Sequence, residues 1–232
     1  MPIGEGMGCD MAVAGGPEAV TNNIVYLYDI ANFKVYRNSN IEKVFDTETT
    51  TLYNGPTYNS ANGGYLTFDG TNDYLEFNIG SADISTTMTV EFFARIKDDG
   101  ANMVFSWGFY DFSMFYNSYV GFNTANSDWY GFTGTTGLKN SWAHYVLEMR
   151  SDVSYTNNKI YTNGTLRSLS QLQGTENSGS RNFNNGVGTF ATWGGYNLNT
   201  PMDLALVRIY KGSLSSQQVY DNFEAHRGRF GI

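Results

Sequence analysis

Cysteine, proline and basic side chains are scarce in this sequence, and long apolar runs are missing. Of 232 residues one is cysteine and four are proline. A lone Cys9 excludes an internal disulfide, so the fold must hold by packing, as expected of a chain that folds in a reducing cytoplasm. No segment approaches the ~18 consecutive apolar residues that a membrane span requires. Residues 1–23 carry no Lys or Arg and no apolar block of roughly 7–15 residues, so they do not read as a secretory leader. Lys and Arg number 14 against 22 Asp and Glu, a formal charge of −8. Affinity for a phosphate backbone or an anionic bilayer rests on Lys and Arg, so nucleic acid and membrane are poor partners.

Glycine, aromatic residues and asparagine are plentiful: 26 Gly, 16% Phe, Trp and Tyr, and 25 Asn. That mixture suits many short strands joined by tight turns rather than long helices. Period-two alternation is clear from Tyr65 onward. Leu66 and Phe68 share one face, Asp69-Gly70-Thr71-Asn72-Asp73 turns the chain, and Leu75 and Phe77 share the next. The plainest strand is Met88 to Ile96, with Met88, Val90, Phe92, Ala94 and Ile96 facing one way and Thr89, Glu91 and Arg95 the other. Its second face is expected to be wet or covered by loops. Further strands are predicted at 103–107, 112–116, 119–122, 142–149, 159–162, 165–169, 190–193 and 204–210. Asn163-Gly164 is the pair preferred in a two-residue hairpin turn, which accounts for the sequon Asn163-Gly164-Thr165 without glycosylation. Residues 38–64 read as polar and turn-prone.

The expected architecture is all-β, a two-sheet antiparallel jelly-roll sandwich with one short C-terminal helix, in a single domain over residues 24–232. Phe68, Phe77, Val90, Phe92, Val146 and Ile209 are expected between the sheets. The helix is placed at Ser215 to Arg227 and outside the sandwich. Ser215 and Gln218 form a capping box, Leu214 and Val219 a hydrophobic staple, and Gly228 the stop. Residues 1–23 read as an N-terminal arm, because the first twenty show neither helical nor strand period. Such an arm is either a frayed terminus or a strap across a neighbour, in which case Ile3, Met7, Met11 and Val13 are the anchors that offset its ordering.

Five strings occur in the order seen in one known group of domains: GGYLTFDGTNDYLEF (63–77), MTVEFFARI (88–96), Trp142-x-His144, KIYTNGTL (159–166) and LALVRIYKGSLSSQQVYDNF (204–223). On them the chain resembles LamG-like domains of the concanavalin A-like lectin/glucanase superfamily over residues 24–232. The ending NFEAHRGRFGI, with YLYDIANFKVY near the front and NGPTYNSANGGYLTFDG in the middle, resembles a narrower group: single LamG-like proteins of tailed phages, cyanophages especially. That narrower resemblance implies a virion structural protein made in the host cytoplasm and displayed on the particle, a capsid decoration or cement protein partnered by the major capsid protein or by its own copies. A non-catalytic carbohydrate-binding adhesion module, on tail or surface, is the alternative. One departure stands out: a Trp-x-Asp-x-Ser-Gly-x-Gly turn usual in those relatives is replaced over 41–51.

Catalytic chemistry is thin. The superfamily's glucanases carry Glu-x-Asp-x-x-Glu on one strand, and this chain has no such triplet; Glu148 and Asp152, four apart, do not replace it. His144 reads as a packed strand residue and His226 as a helix-end residue suited to the macrodipole. No enzyme is expected. Asp69, Asn72 and Asp73 gather oxygen donors as calcium sites do, with Asp203 as a more distant donor. Asx-turn chemistry explains the same residues more simply, so calcium is the single cofactor under consideration. Trp129, Tyr130 and Phe132, with Asn126 and Asp128 beside them, sit among small polar residues and are the expected exposed contacts for a glycan or protein partner.

Overall fold

Strand Thr87–Ile96 lies at the centre of the architecture, and its alternation has the expected inward face. The computed structural model describes residues 18–31, 49–97, 103–108, 110–116, 118–123, 129–175, 182–193 and 198–232. Two eight-stranded antiparallel sheets pack face to face. The front sheet runs Thr165–Leu166, Lys159–Thr162, Trp142–Arg150, Thr87–Ile96, Pro201–Lys211, Tyr65–Asp69, Thr57–Asn59, and Ile24–Asp29 shares the Pro201–Lys211 strand with Tyr65–Asp69. The back sheet runs Ser170–Gln173, Trp129–Thr133, Tyr119–Asn123, Tyr110–Tyr116, Met103–Trp107, Val187–Phe190, Tyr74–Asn78, Thr49–Tyr53. A small pair, Thr192–Trp193 with Leu198–Asn199, stands beside them.

Between the sheets lies one aromatic-rich core holding Phe68, Phe77, Val90, Phe92 and Ile209, as expected. Phe77 is edge-on to Trp107 at 5.4 Å, and Phe92 stacks on Tyr145 at 5.1 Å. Val146 is buried elsewhere. It sits on the outer side of the front sheet in a second cluster with Tyr161, Tyr210, Leu214 and Val219. The helix packs outside the sandwich as expected, but the sequence did not show that it covers this strand, so apolar residues appear on both sides of Trp142–Arg150.

Beside glycine, asparagine supplies most of the left-handed turn positions. Nine described non-glycine residues have positive φ and seven of them are Asn; a short amide tolerates the left-handed region better than other side chains. Asn163 and Gly164, at φ 49° and 74°, close the expected hairpin. Strands Thr49–Tyr53, Thr57–Asn59, Trp129–Thr133, Ser170–Gln173 and Leu198–Asn199 were not foreseen, and Val187–Phe190 meets the expected 190–193 only at its last residue. These unforeseen strands are short, and most carry Thr, Ser, Gln or Gly, so their polar faces masked the alternation.

The front sheet depends on a bulge. In Pro201–Lys211 the register against Thr87–Ile96 shifts between Leu204 and Leu206. The extra residue, Ala205, inverts the parity of all that follows, since a one-residue slip turns every side chain over. Leu204, Val207 and Ile209 therefore all face the core, while Asp203, Arg208 and Tyr210 face outward.

Outward does not mean wet here. The helix Ser216–Phe230 covers this face, starting with the expected box in which Ser215 Oγ accepts from Gln218 N and Gln218 Oε1 from Ser215 N. It runs through Gly228 to Gly231, which caps it at φ 69°. The extension beyond the expected stop is driven by its last turn. Phe230 is 5% exposed and packs on Phe93 and Trp142 with centroids 4.8 Å away from each. Arg229 pairs with Asp29 Oδ1 at 2.8 Å and donates to Asn62 O and Gly64 O. These contacts outweigh the modest cost of an internal glycine, about 1 kcal/mol.

Under the helix Glu91 is wholly buried. Its Oε1 accepts from His144 Nε2 at 3.0 Å and Arg208 Nη1 at 3.3 Å, and its Oε2 from Tyr210 Oη at 2.8 Å and Asn222 Nδ2 at 2.7 Å. Burial pushes its pKa up, but Arg208, His144 and Tyr210 outweigh burial and hold it at about 2. Burial, then the Arg208 guanidinium, push His226 down to about 4. A neutral His226 accepts from Arg208 Nη2 at 2.6 Å through Nε2. This corrects the macrodipole reading, since the ring carries no charge at neutral pH. The network reaches back to the chain start, because Asn222 Oδ1 accepts from Val20 N. Among the described residues no helix is long and apolar enough to cross a membrane.

Two outcomes follow for the helix. Phe230→Ala should destabilise the domain by about 3 kcal/mol in a urea titration, the usual cost of emptying a buried aromatic site. Acid should undo the same seal from a different side. The neutral His226 contributes stability that is complete above pH 6.5, its unfolded pKa, and lost as pH falls toward 4, while that from Glu91 is lost only between 4.5 and about 2. The loss of Tm between pH 6.5 and 4 should therefore be smaller in His226→Gln than in the parent chain, a difference between the two proteins in which every other titrating group cancels.

Candidate functional site

The helix occupies the outer side of the front sheet, which leaves the outer side of the back sheet as the broad surface of the sandwich. Parity decides what stands there. On Trp129–Thr133, Tyr130 and Phe132 turn in to the core, so Trp129, Gly131 and Thr133 turn out. Inward on the neighbouring strands are Val120, Phe122, Phe112, Phe105, Phe190, Phe77 and Leu75. Opposite them, one residue per strand, the register aligns Thr51, Glu76, Thr189, Ser106, Asp111, Asn123, Trp129 and Gln173 in a single row. Seven strand spacings make this row about 34 Å long. Seven of the eight side chains are polar and the eighth is an indole.

Beside the row the sheet is flat. Gly121 and Gly131 face each other in register. A Cβ on Gly131 would lie 2.0 Å from Val120 O, and one on Gly121 2.3 Å from Tyr130 O. No larger residue fits either position. Across them Tyr119 and Trp129 approach to 6.3 Å between ring centroids. Along the row Thr51, Glu76, Thr189, Asn123 and Gln173 are partly exposed and offer hydroxyls, amides and a carboxylate to the hydroxyls of a sugar, whereas Ser106, Asp111 and Trp129 are buried.

Asp111 is the chemically distinctive member. It is 7% exposed, and Ser106 Oγ donates to its Oδ1 at 2.5 Å. Burial raises its pKa to about 7, with the Ser106 bond pulling the other way. Glu76, the other carboxylate of the row, is three strands away, about 14 Å. Glycosidases place their two carboxyls roughly 5–9.5 Å apart, so this pair cannot divide nucleophile and acid roles on one sugar bond.

The contacts expected from the sequence fall out unevenly. Trp129 and Phe132 are 4% and 6% exposed rather than exposed, because the segment is a strand and not a loop. Tyr130 is half-buried against the core, with its hydroxyl donating to Thr156 O at 3.2 Å. Asn126 and Asp128 lie outside the described residues, as do Ile3, Met7, Met11 and Val13. In the turn, Asp69 Oδ1 accepts from Thr71 N at 2.7 Å and Asn72 N at 3.3 Å, and Asp73 Oδ2 accepts from Asp69 N. These bonds use the carboxylates as Asx-turn acceptors, and the Thr71 amide foremost lowers the Asp69 pKa. Asp203 is taken up by Thr67, Arg95 and Lys97. His144 is buried between Phe93 and Phe223, and Glu148 pairs with Lys159 at 2.8 Å. Asp152 pairs with Arg150 in solvent. The row was missed because it has no local motif; only Ser106 with Asp111 and Asn123 with Trp129, each pair facing across a hairpin, are close in sequence.

Asp111 makes a measurable demand. Its raised pKa means that folding favours the protonated form, so its contribution is present below pH 3.8 and lost as pH rises through about 7. Asp111→Asn, which copies the neutral acid, should raise Tm at pH 8 by roughly 4 °C, raise it less at pH 5 and leave it unchanged below pH 3.8.

Comparison with known proteins fits this geometry. Domain 4 of AbnA, a GH43 extracellular arabinanase from Geobacillus stearothermophilus, solved with arabinotriose, is similar at 16% identity and TM-score 0.59, over 86% of this chain and 98% of that one. The receptor binding domain of botulinum neurotoxin C/D mosaic serotype is similar at 12% identity and TM-score 0.59, over 87% of this chain and 51% of that one. The botulinum neurotoxin serotype D ligand binding domain, solved with N-acetylneuraminic acid, is similar at 13% identity and TM-score 0.53, over 76% and 46%. The chain thus spans about half the length of the neurotoxin chains it matches. At these identities the likeness is one of fold. No curated protein sequence matches significantly. The family model of concanavalin A-like lectin/glucanases matches residues 69–220. With most of its length inside that match, the chain belongs to the laminin G-like (Laminin_G_3) family of the concanavalin A-like lectin/glucanase superfamily.

Proposed function

We propose that the chain is a virion structural protein of a tailed phage, decorating the particle surface as a non-catalytic module with a lectin's fold. One observation carries the reading. The described part of the first of the two segments that resemble single-domain phage proteins, residues 26–31, meets the second, NFEAHRGRFGI, through Asp29 and Arg229, 200 residues apart, and through the cluster of Leu27, Phe223 and Phe230. Its partners are the major capsid protein or further copies of itself. The segment before residue 18, with Ile3, Met7, Met11 and Val13, serves as the strap. It leaves the domain at Val20, whose amide donates to Asn222 Oδ1.

A second reading, a carbohydrate-binding adhesion module, is favoured by the polar row that runs from Thr51 to Gln173 and by the sugars bound to the arabinanase and neurotoxin domains. The two readings are compatible on a particle that touches a cell surface. The absence of catalysis rests on the wide spacing of Asp111 and Glu76 and on the structural pairing of Glu148 and Asp152.

Mass spectrometry of purified particles should find the chain at stoichiometric copy number. Removal of residues 1–17, which spares Val20, should leave Tm within about 1 °C and lower the copy number several-fold. Equal occupancy would reduce the strap to a frayed end. Assays on β-glucans should stay blank, and Glu148→Ala or Asp152→Ala should change stability only.

A further inference from the structure

The sandwich has a groove along one edge, where the chain passes from the front-sheet edge strand Thr165–Leu166 to the back-sheet edge strand Ser170–Gln173. It measures about 470 Å³ and is lined by Phe132, Leu166, Arg167, Ser168, Ser170 and Leu172 together with Thr133. A volume of that order suits one or two sugar units. Leu166 is 49% exposed, one of two large apolar side chains so exposed among the described residues.

Arg167 is held in place before any ligand arrives. Its amide donates to Ile160 O at 2.9 Å, and its guanidinium lies 4.3 Å from the centroid of Phe132, whose ring is fixed in the core. Leu169 packs on the core two residues on, so the link is pinned at both sides of Ser168. The stacked guanidinium makes no ion pair and no hydrogen bond among the described residues. Its fellows behave otherwise: Arg95, Arg150, Arg208, Arg227 and Arg229 each hold a carboxylate. In a chain with 22 acidic and 14 basic residues, partners for one more arginine are not in short supply. Arg167 is the described arginine left with its planar fork of donors uncommitted, beside an apolar wall and the hydroxyls of Thr133, Ser168 and Ser170.

We infer that this groove binds a carboxylate-bearing sugar, such as a uronic acid unit, with Arg167 clamping the carboxylate. The inference rests on the carbohydrate-binding reading above. A guanidinium matches a carboxylate with two parallel hydrogen bonds, a geometry that lysine cannot copy. Leu166 and Leu172 offer the apolar face of the ring a surface, and Ser168 and Ser170 reach its hydroxyls. The chain's net negative charge does not forbid this, because charges farther than about 8 Å are screened at physiological salt.

The test is a titration of the full chain, followed by amide NMR and calorimetry, with a galacturonate trisaccharide, the neutral galactose trisaccharide and a sulfated galactose trisaccharide. The uronate should bind at least tenfold tighter than either of the others and shift the amides of Leu166 and Ser168. Arg167→Gln should remove that preference at unchanged Tm, and Arg167→Lys should restore only part of it. Neutral and acidic sugars bound equally, or full uronate affinity in Arg167→Gln, would overturn the groove assignment while leaving sugar binding in place. Preference for the sulfated sugar would overturn the carboxylate specificity alone. Failure of all three sugars to bind would overturn the groove assignment together with the carbohydrate reading.

Discussion

A single buried carboxylate governs how the outer half of this protein is organised. Glu91 stands on the central strand of the front sheet with no access to water, a position that would be prohibitive for an isolated charge. It is tolerated because four donors meet it from three elements: His144 on one neighbouring strand, Arg208 and Tyr210 on the other, and Asn222 on the helix. Withdrawing any one donor leaves the others with an uncompensated charge, which is how buried pairs come to enforce one arrangement more than they add net stability. The helix cannot slide or rotate without breaking its bond to Glu91. Through Asn222 the same constraint fixes Val20, and through Arg208 it fixes the neutral state of His226.

That constraint exists only because of the bulge at Ala205. Without the inserted residue, Arg208 and Tyr210 would point into the aromatic core and two apolar neighbours would face Glu91. The two outer faces of the sandwich consequently differ in kind. The front face is sealed by apolar side chains and a satisfied ionic network, while the back face carries a polar row, with Asp111 held close to its titration point by burial. One face is committed to holding the molecule together, and the other retains chemistry that the fold does not consume.

Where a strand has one apolar and one polar face, the sequence predicts it well, as for Thr87–Ile96 and the Asn163-Gly164 hairpin. It fails where tertiary structure redefines what a face means. Val146 is apolar because a helix covers it, and nothing within its own strand signals that. Gly228 reads as a stop, but Arg229 and Phe230 find partners on distant segments and carry the helix past it. Trp129 to Phe132 read as an exposed loop because Gly131 interrupts the alternation, yet that glycine is there to let two strands approach. The candidate site is the least legible part. Its row takes one residue from each of eight strands, and Arg167 is distinguished only by the absence of a carboxylate that other arginines have. Neither property can be seen along the chain.

Val20 and Phe230 are both fastened on the front side, one by the helix amide of Asn222 and the other by the Phe93 and Trp142 rings. Mechanical load entering through the segment before Val20 would accordingly run into the helix and its ionic seal. It would bypass the back sheet, because Asn222, Phe93 and Trp142 belong to the front sheet and the helix that covers it. A module tethered in this manner can be dragged, sheared or twisted at its mooring while the Trp129 row keeps its geometry. The part of the structure that would fail first under tension is the part farthest from the surface it presents.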